Sequence, residues 1–124
     1  MPQSTVILRW AIRLAFLAGL LLGIVLWLGQ GYSLLRLHMW LGFIVAFALL
    51  VIVILSLLAR VKPVLPIIGL LWAVALPVIG IAQLHMMPGG DHWVIQVIHL
   101  ILGLGAIGLG EALSKRTLLR LRNQ

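Results

Sequence analysis

The segments His38-Met39-Trp40-Leu41-Gly42 and His99-Leu100-Ile101-Leu102-Gly103 each set a histidine in an apolar run, with a glycine four residues later. An imidazole is costly to place in such surroundings, so each histidine is a candidate functional residue. Positions i and i+4 share a helix face, which puts each glycine one turn below its histidine. A missing side chain there leaves room for something flat and wide. The pattern predicts a haem held between the two imidazoles, with His38 and His99 as the ligands to iron and Gly42 and Gly103 as clearance for the ring.

The elements that must position this pair follow from composition. Of 124 residues, 64% are apolar and 9% charged, and the mean hydropathy is +1.25. Soluble domains average roughly half apolar and a quarter charged, so this chain has too few polar side chains to cover a surface in water. A span of the ~30 Å hydrocarbon core needs about 20 apolar residues. Four stretches meet this, at about 6–28, 34–59, 64–87 and 92–113, followed by a basic tail over 114–124. Short links rich in Gly and Pro join them and force neighbours to be antiparallel. Open sheets cannot span lipid. The expected fold is a single all-α domain, an integral membrane antiparallel four-helix bundle built from two pseudo-repeated helical hairpins.

Charge placement gives the expected orientation. Arg9 and Arg13 precede the first apolar core, Arg60 and Lys62 separate spans two and three, and Lys115, Arg116, Arg120 and Arg122 end the chain, while the other two loops carry only Arg36 and Asp91. The positive-inside rule puts both termini in the cytoplasm, in a prokaryotic inner membrane. The net charge of +7 is scattered over one membrane face and suits anionic lipid, so the lipid bilayer is expected as a partner and nucleic acid is not. The first apolar run continues to Leu28 without a small-x-small cleavage site and reads as a retained span. No cysteine is present, which excludes thiolate sites and covalent c-type haem attachment and leaves coordination and packing to hold a haem b.

At 1.5 Å per residue, His38 and His99 both lie on the order of 10 Å below the outer boundary. They belong to the second helices of two hairpins that run the same way, as in duplications about an axis along the membrane normal. Spans two and four are diagonal in an up-down bundle, so their inward faces oppose each other, a common setting for cofactors. Arg36, at the outer rim, is placed to pair with a haem propionate, although snorkelling explains it almost as well. Trp40 and Trp93 fit an interfacial belt. His85 and His92 flank the outer loop, where they are open to a propionate, a quinone entry, a proton relay or no role.

At His38 and His99 the chain resembles the four-helix bis-histidine membrane cytochromes b. It is most similar to one half of a haem A synthase, whose halves carry ligand histidines on their second and fourth helices near the outer face, and more loosely to a cytochrome b561-type bundle. The likeness covers most of the chain in architecture and two residues in motif. It implies axial ligation by His38 and His99. The synthase pattern has a carboxylate shortly before a His-Arg pair, whereas here Met39 and Leu100 follow the histidines and no carboxylate stands near either. The resemblance therefore implies a haem site rather than synthase chemistry.

The leading expectation is a haem b electron carrier near the outer face, exchanging electrons with a quinone or a redox protein, alone, as a homo-oligomer or within a larger membrane complex. Bis-histidine ligation fills both axial positions and disfavours oxygen chemistry on iron. Two alternatives stay open. One is a cofactor-free structural or assembly subunit. The other is copper or other metal handling, since His38-Met39 and His85-Met86-Met87 set imidazoles beside soft thioethers, although adjacent helical residues diverge by about 100°. Asp91 and Glu111, the only acids, stand at opposite ends of span four and cannot form a catalytic pair. Glu111 is expected to pair with Lys115 at i+4, Pro77 to kink span three, and the basic tail with Leu118, Leu119 and Leu121 to rest on the inner leaflet. No phosphate loop or nucleophile–base arrangement appears.

Overall fold

Lipid offers backbone groups no hydrogen-bonding solvent, so apolar spans must satisfy them within the segment. In the computed structural model, which describes residues 1–86 and 89–124, they do so as four helices. These are α1 (Pro2–Trp27), α2 (Leu35–Leu58), α3 (Val64–Ala82) and α4 (His92–Arg122), with one 3₁₀ turn at Tyr32–Leu34 leading into α2. All four are long and apolar enough to cross a membrane, and no strand occurs among the described residues. The chain is a multi-pass membrane protein built as a helical bundle.

Backbone chemistry fixes where α1 and α2 stop. At the end of α1, Gly29 takes φ +76° while its N–H bonds to the Leu26 carbonyl and that of Gln30 to Val25. The end of α2 repeats this paired pattern with Arg60 at φ +58°, and the N–H groups of Arg60 and Val61 reach Leu57 and Ser56. Both are left-handed caps that satisfy the last carbonyls and turn the chain back. Hydropathy carries the third span to residue 87, but α3 ends at Ala82. Leu84 and His85 bond three residues back rather than four, which tightens the chain out of the helix. Met87, the expected last residue of that span, lies outside the described residues.

The core is built around α2. Val45, Ala48, Leu49, Ile52 and Val53 pack against Ile12 and Ala15 of α1, Ala73 and Leu76 of α3, and Ala106 and Leu113 of α4. Sequence neighbours pack side by side, and α2 and α4 also meet across the diagonal, whereas α1 and α3 make no comparable contact. One end of the bundle, here the hairpin end, carries the turns after α1 and α3. The other, the terminal end, carries both termini and the α2–α3 turn.

Two expectations at the terminal end are corrected. The basic tail is not a separate segment, because α4 continues unbroken to Arg122. Ser114 and Thr117 are fully buried, and the Thr117 and Ser56 hydroxyls lie 2.8 Å apart, so the first turn of the expected tail is core. Glu111 pairs not with Lys115 but with α1. Arg9 Nε donates to one of its carboxylate oxygens at 2.7 Å, and Arg13 grips both oxygens. Arg9 and Arg13 are themselves i and i+4 and present two forked guanidinium groups to one carboxylate, a planar match that a lysine lacks. These side chains keep about a third of their surface exposed, so the clamp stabilises the bundle modestly. Glu111→Ala is expected to lower stability by about 1 kcal/mol, read as an earlier thermal unfolding midpoint in detergent. Lys115→Ala should leave the midpoint in place, and the reverse ranking would restore the i+4 pairing.

Candidate functional site

His38 stands in the first turn of α2, and His99 is two turns into α4. Their ring centroids are 6.0 Å apart with planes inclined at 68°. They face each other across the α2–α4 diagonal, the line on which the bundle closes. The two rings are 61 residues apart in sequence, and the Ser56–Thr117 contact has the same separation. Gly42 and Gly103 keep it too. Ser56 follows His38 by five helical turns, roughly 27 Å. The diagonal is thus joined in equal register at both ends, by imidazoles at the hairpin end and hydroxyls at the terminal end.

Each imidazole rests on a glycine of the preceding helix in its own hairpin. A Cβ at Gly23 of α1 would come 3.2 Å from His38 Cε1, and one at Gly80 of α3 would come 3.1 Å from His99 Cε1. The rings therefore lean into gaps that only hydrogen atoms leave free. Beyond this the two differ. The His38 Nδ1–H donates to the Gly19 carbonyl oxygen at 2.9 Å, which fixes its tautomer and leaves Nε2 bare as a ligand or acceptor. The buried His99 Nδ1 has no hydrogen-bond partner among the described residues.

Two cavities meet at the pair. The larger, about 370 Å³, opens between α1, α2 and α4 and includes Gly19, Gly23, Gly42, Val45 and Gly103 in its wall. The smaller, about 40 Å³, lies toward α3 beside Met39, Leu76, Pro77 and Gly80. His38, His99 and Gly42 line both. A Cβ at Gly42 would meet nothing within 4 Å, and one at Gly103 would meet the Phe16 ring at 3.4 Å. The polar wall of the larger cavity is confined to the hairpin end, where Tyr32, Gln83, His92 and Gln96 stand, and apolar side chains line its depth.

The expected site residues fall into three groups. His38 and His99 come together, and Gly42 and Gly103 line the space beside them. Arg36 is exposed in the first turn of α2 and forms no part of either cavity wall. One residue from Leu35, which does line them, its side chain falls on an outward-turned face. Trp40 and Trp93 are also exposed and belong to the outer surface. His85 is exposed, whereas His92 is half-buried at the cavity rim, its Nδ1–H donating to the Met86 carbonyl at 3.2 Å. Met39 lines the small cavity with both histidines, despite its divergence from His38 around the helix. Sequence reasoning missed Gly19, Gly23, Gly80, Gln83 and Gln96. The signal for the first two was present, since Gly19-Leu20-Leu21-Leu22-Gly23 is a G-x-x-x-G close-approach pattern.

Comparison with known proteins gives no matching family model, no matching curated protein and no matching solved structure.

Proposed function

We propose that this protein is a membrane cytochrome that holds one haem b between His38 and His99. The observation that carries the reading is the 6.0 Å separation of two imidazoles that open together on a cavity of about 370 Å³. Two metal–nitrogen bonds of about 2 Å, plus ~1.1 Å from nitrogen to ring centre on either side, give roughly 6 Å. Among the described residues no group of three or more His, Cys, Asp or Glu stands together. A metal held here by two imidazoles must find its other donors elsewhere, and a porphyrin brings four. Gly42 and Gly103 leave the ring its clearance, and the orphaned Nδ1 of His99 belongs to a side chain whose other nitrogen is free for a ligand.

The residues suit the group in polarity as well. Tyr32, Gln83 and Gln96 at the hairpin end carry donors that fit carboxylates, and the apolar depth fits the ring, so these three replace Arg36 as the propionate partners. The bound haem supplies a one-electron couple, whose potential the protein sets through two neutral imidazoles and an apolar enclosure. The distribution of Lys and Arg favours this end as the outer face, with both termini in the cytoplasm, which fits exchange with a quinone or an outer redox partner.

The test is the optical spectrum and iron content of the purified protein, expressed with ample haem. A Soret band, a sharp reduced α-band and about one haem per chain are expected. A colourless protein sinks the proposal. A second reading has an observation of its own. Met39 shares the small cavity with both histidines, and two imidazoles with a thioether suit Cu(I). Copper binding by the colourless protein, lost in Met39→Leu, would favour it.

A further inference from the structure

We propose that His99 is a releasable ligand, and that the site takes up a neutral diatomic gas on its His99 side. This rests on the haem reading above and goes beyond it, since two permanent axial ligands would leave such a gas no place. Two side chains that the register otherwise makes equivalent are held unequally. His38 is held at three points: its backbone in α2, the Gly23 surface against Cε1, and the hydrogen bond from Nδ1 to the Gly19 carbonyl. That bond sets the tautomer, fixes the ring and makes Nε2 a stronger donor, the usual service of a partner behind a metal-bound histidine. His99 has the glycine surface, at Gly80, but among the described residues no hydrogen-bond partner behind Nδ1.

Two consequences act in the same direction. Without a partner on Nδ1, Nε2 of His99 is the weaker donor and the ring is less firmly aimed. A buried N–H without an acceptor is also unfavourable for as long as the ring stays where it is. Turning away from the metal relieves this if an acceptor is within reach. Gln83 lines both cavities with His99, and Gln96 lies one turn before it on α4 in the larger cavity. Either amide oxygen can receive the freed N–H. His38 has no comparable gain, because turning would break its bond to Gly19. With haem bound, the exchange would be redox-neutral: His99 would withdraw its Nε2 lone pair and the gas would supply one in its stead, with no proton or electron transferred.

Carbon monoxide added to the dithionite-reduced, haem-loaded protein is the probe. The wild-type protein is expected to shift from a six-coordinate bis-histidine spectrum to a carbon monoxide spectrum. His99→Ala should retain haem, give the same final spectrum and bind the gas at least ~10-fold more tightly, because no imidazole competes. A Soret band that ignores saturating carbon monoxide overturns this inference and leaves the cytochrome standing. Loss of haem from His99→Ala overturns it too, since a releasable ligand is dispensable for retention. A protein with no Soret band under any condition overturns the haem reading itself, and this one with it.

Discussion

His38→Ala is expected to lose its haem, with affinity lowered by at least ~100-fold, whereas His99→Ala is expected to keep most of it. Disturbing only the partner behind a ligand histidine changes metal affinity by about 10–100-fold, and here ligand and anchored partner disappear together. The Gly19 carbonyl loses its imidazole donor, and the Gly23 surface faces a void. The variant differs from the wild type by one half-buried side chain at the hairpin end, far from the Ser56–Thr117 contact and the Glu111 clamp, so the helices should still assemble. Chemical rescue separates ligation from packing. Free imidazole at millimolar concentration should restore the six-coordinate spectrum of His38→Ala, because the cavity beside Gly42 and Gly23 is open to a ring of that size. A variant that binds haem as the wild type does would remove His38 from the site. One that loses haem and circular-dichroism helicity together would make the histidine structural.

The spans were legible because the apolar runs are long and the charges fall between them. The histidine pair was legible because equal register on two diagonal helices leaves a pattern in one dimension, here H-x-x-x-G repeated 61 residues apart. The same register carried Ser56 and Thr117, but a hydroxyl in a helix has many bland roles, and nothing in one dimension joins these two. Contacts between helices were the illegible part. Glu111 has Lys115 one turn away and Arg13 almost a hundred residues away, so local reasoning favours the lysine, while the bundle brings the arginines. The glycines on which the imidazoles rest, Gly23 and Gly80, belong to neighbouring helices and were illegible for the same reason. A glycine makes room for whatever the neighbouring helix sets against it, and periodicity along one helix does not say what that is. The tail misleads because Lys115 and Arg116 end the hydropathy signal, although Ser114 and Thr117 face inward on either side of them.

Gly105→Ala is expected to destabilise the bundle by about 2 kcal/mol, a large effect for a single added methyl group. A Cβ at position 105 would lie 2.5 Å from Trp72 Nε1 and 2.6 Å from two further indole carbons. The indole cannot yield freely, because its N–H donates to the Leu102 carbonyl at 2.8 Å. Overpacking of this kind costs about 1–3 kcal/mol and a lost hydrogen bond about 1 more, against a gain of ~1 from replacing a helical glycine by alanine. The first two outweigh the third. Gly108→Ala isolates the third, because a Cβ there meets nothing within 4 Å, and it should be neutral or slightly stabilising. Thermal unfolding of both variants in detergent checks the ranking. In a Trp72→Ala background the cost of Gly105→Ala should vanish, since contacting residues couple and distant ones add; a cost that persists would place the strain elsewhere. The result bears on the site as well as the fold. α1 sets Ala15, Gly19 and Gly23 toward the large cavity, whereas α3 sets the Trp72 indole against α4. The α1 side of the histidine pair keeps about 370 Å³ of free volume, walled in part by Gly19 and Gly23, and the α3 side, walled in part by Leu76 and Pro77, about 40 Å³.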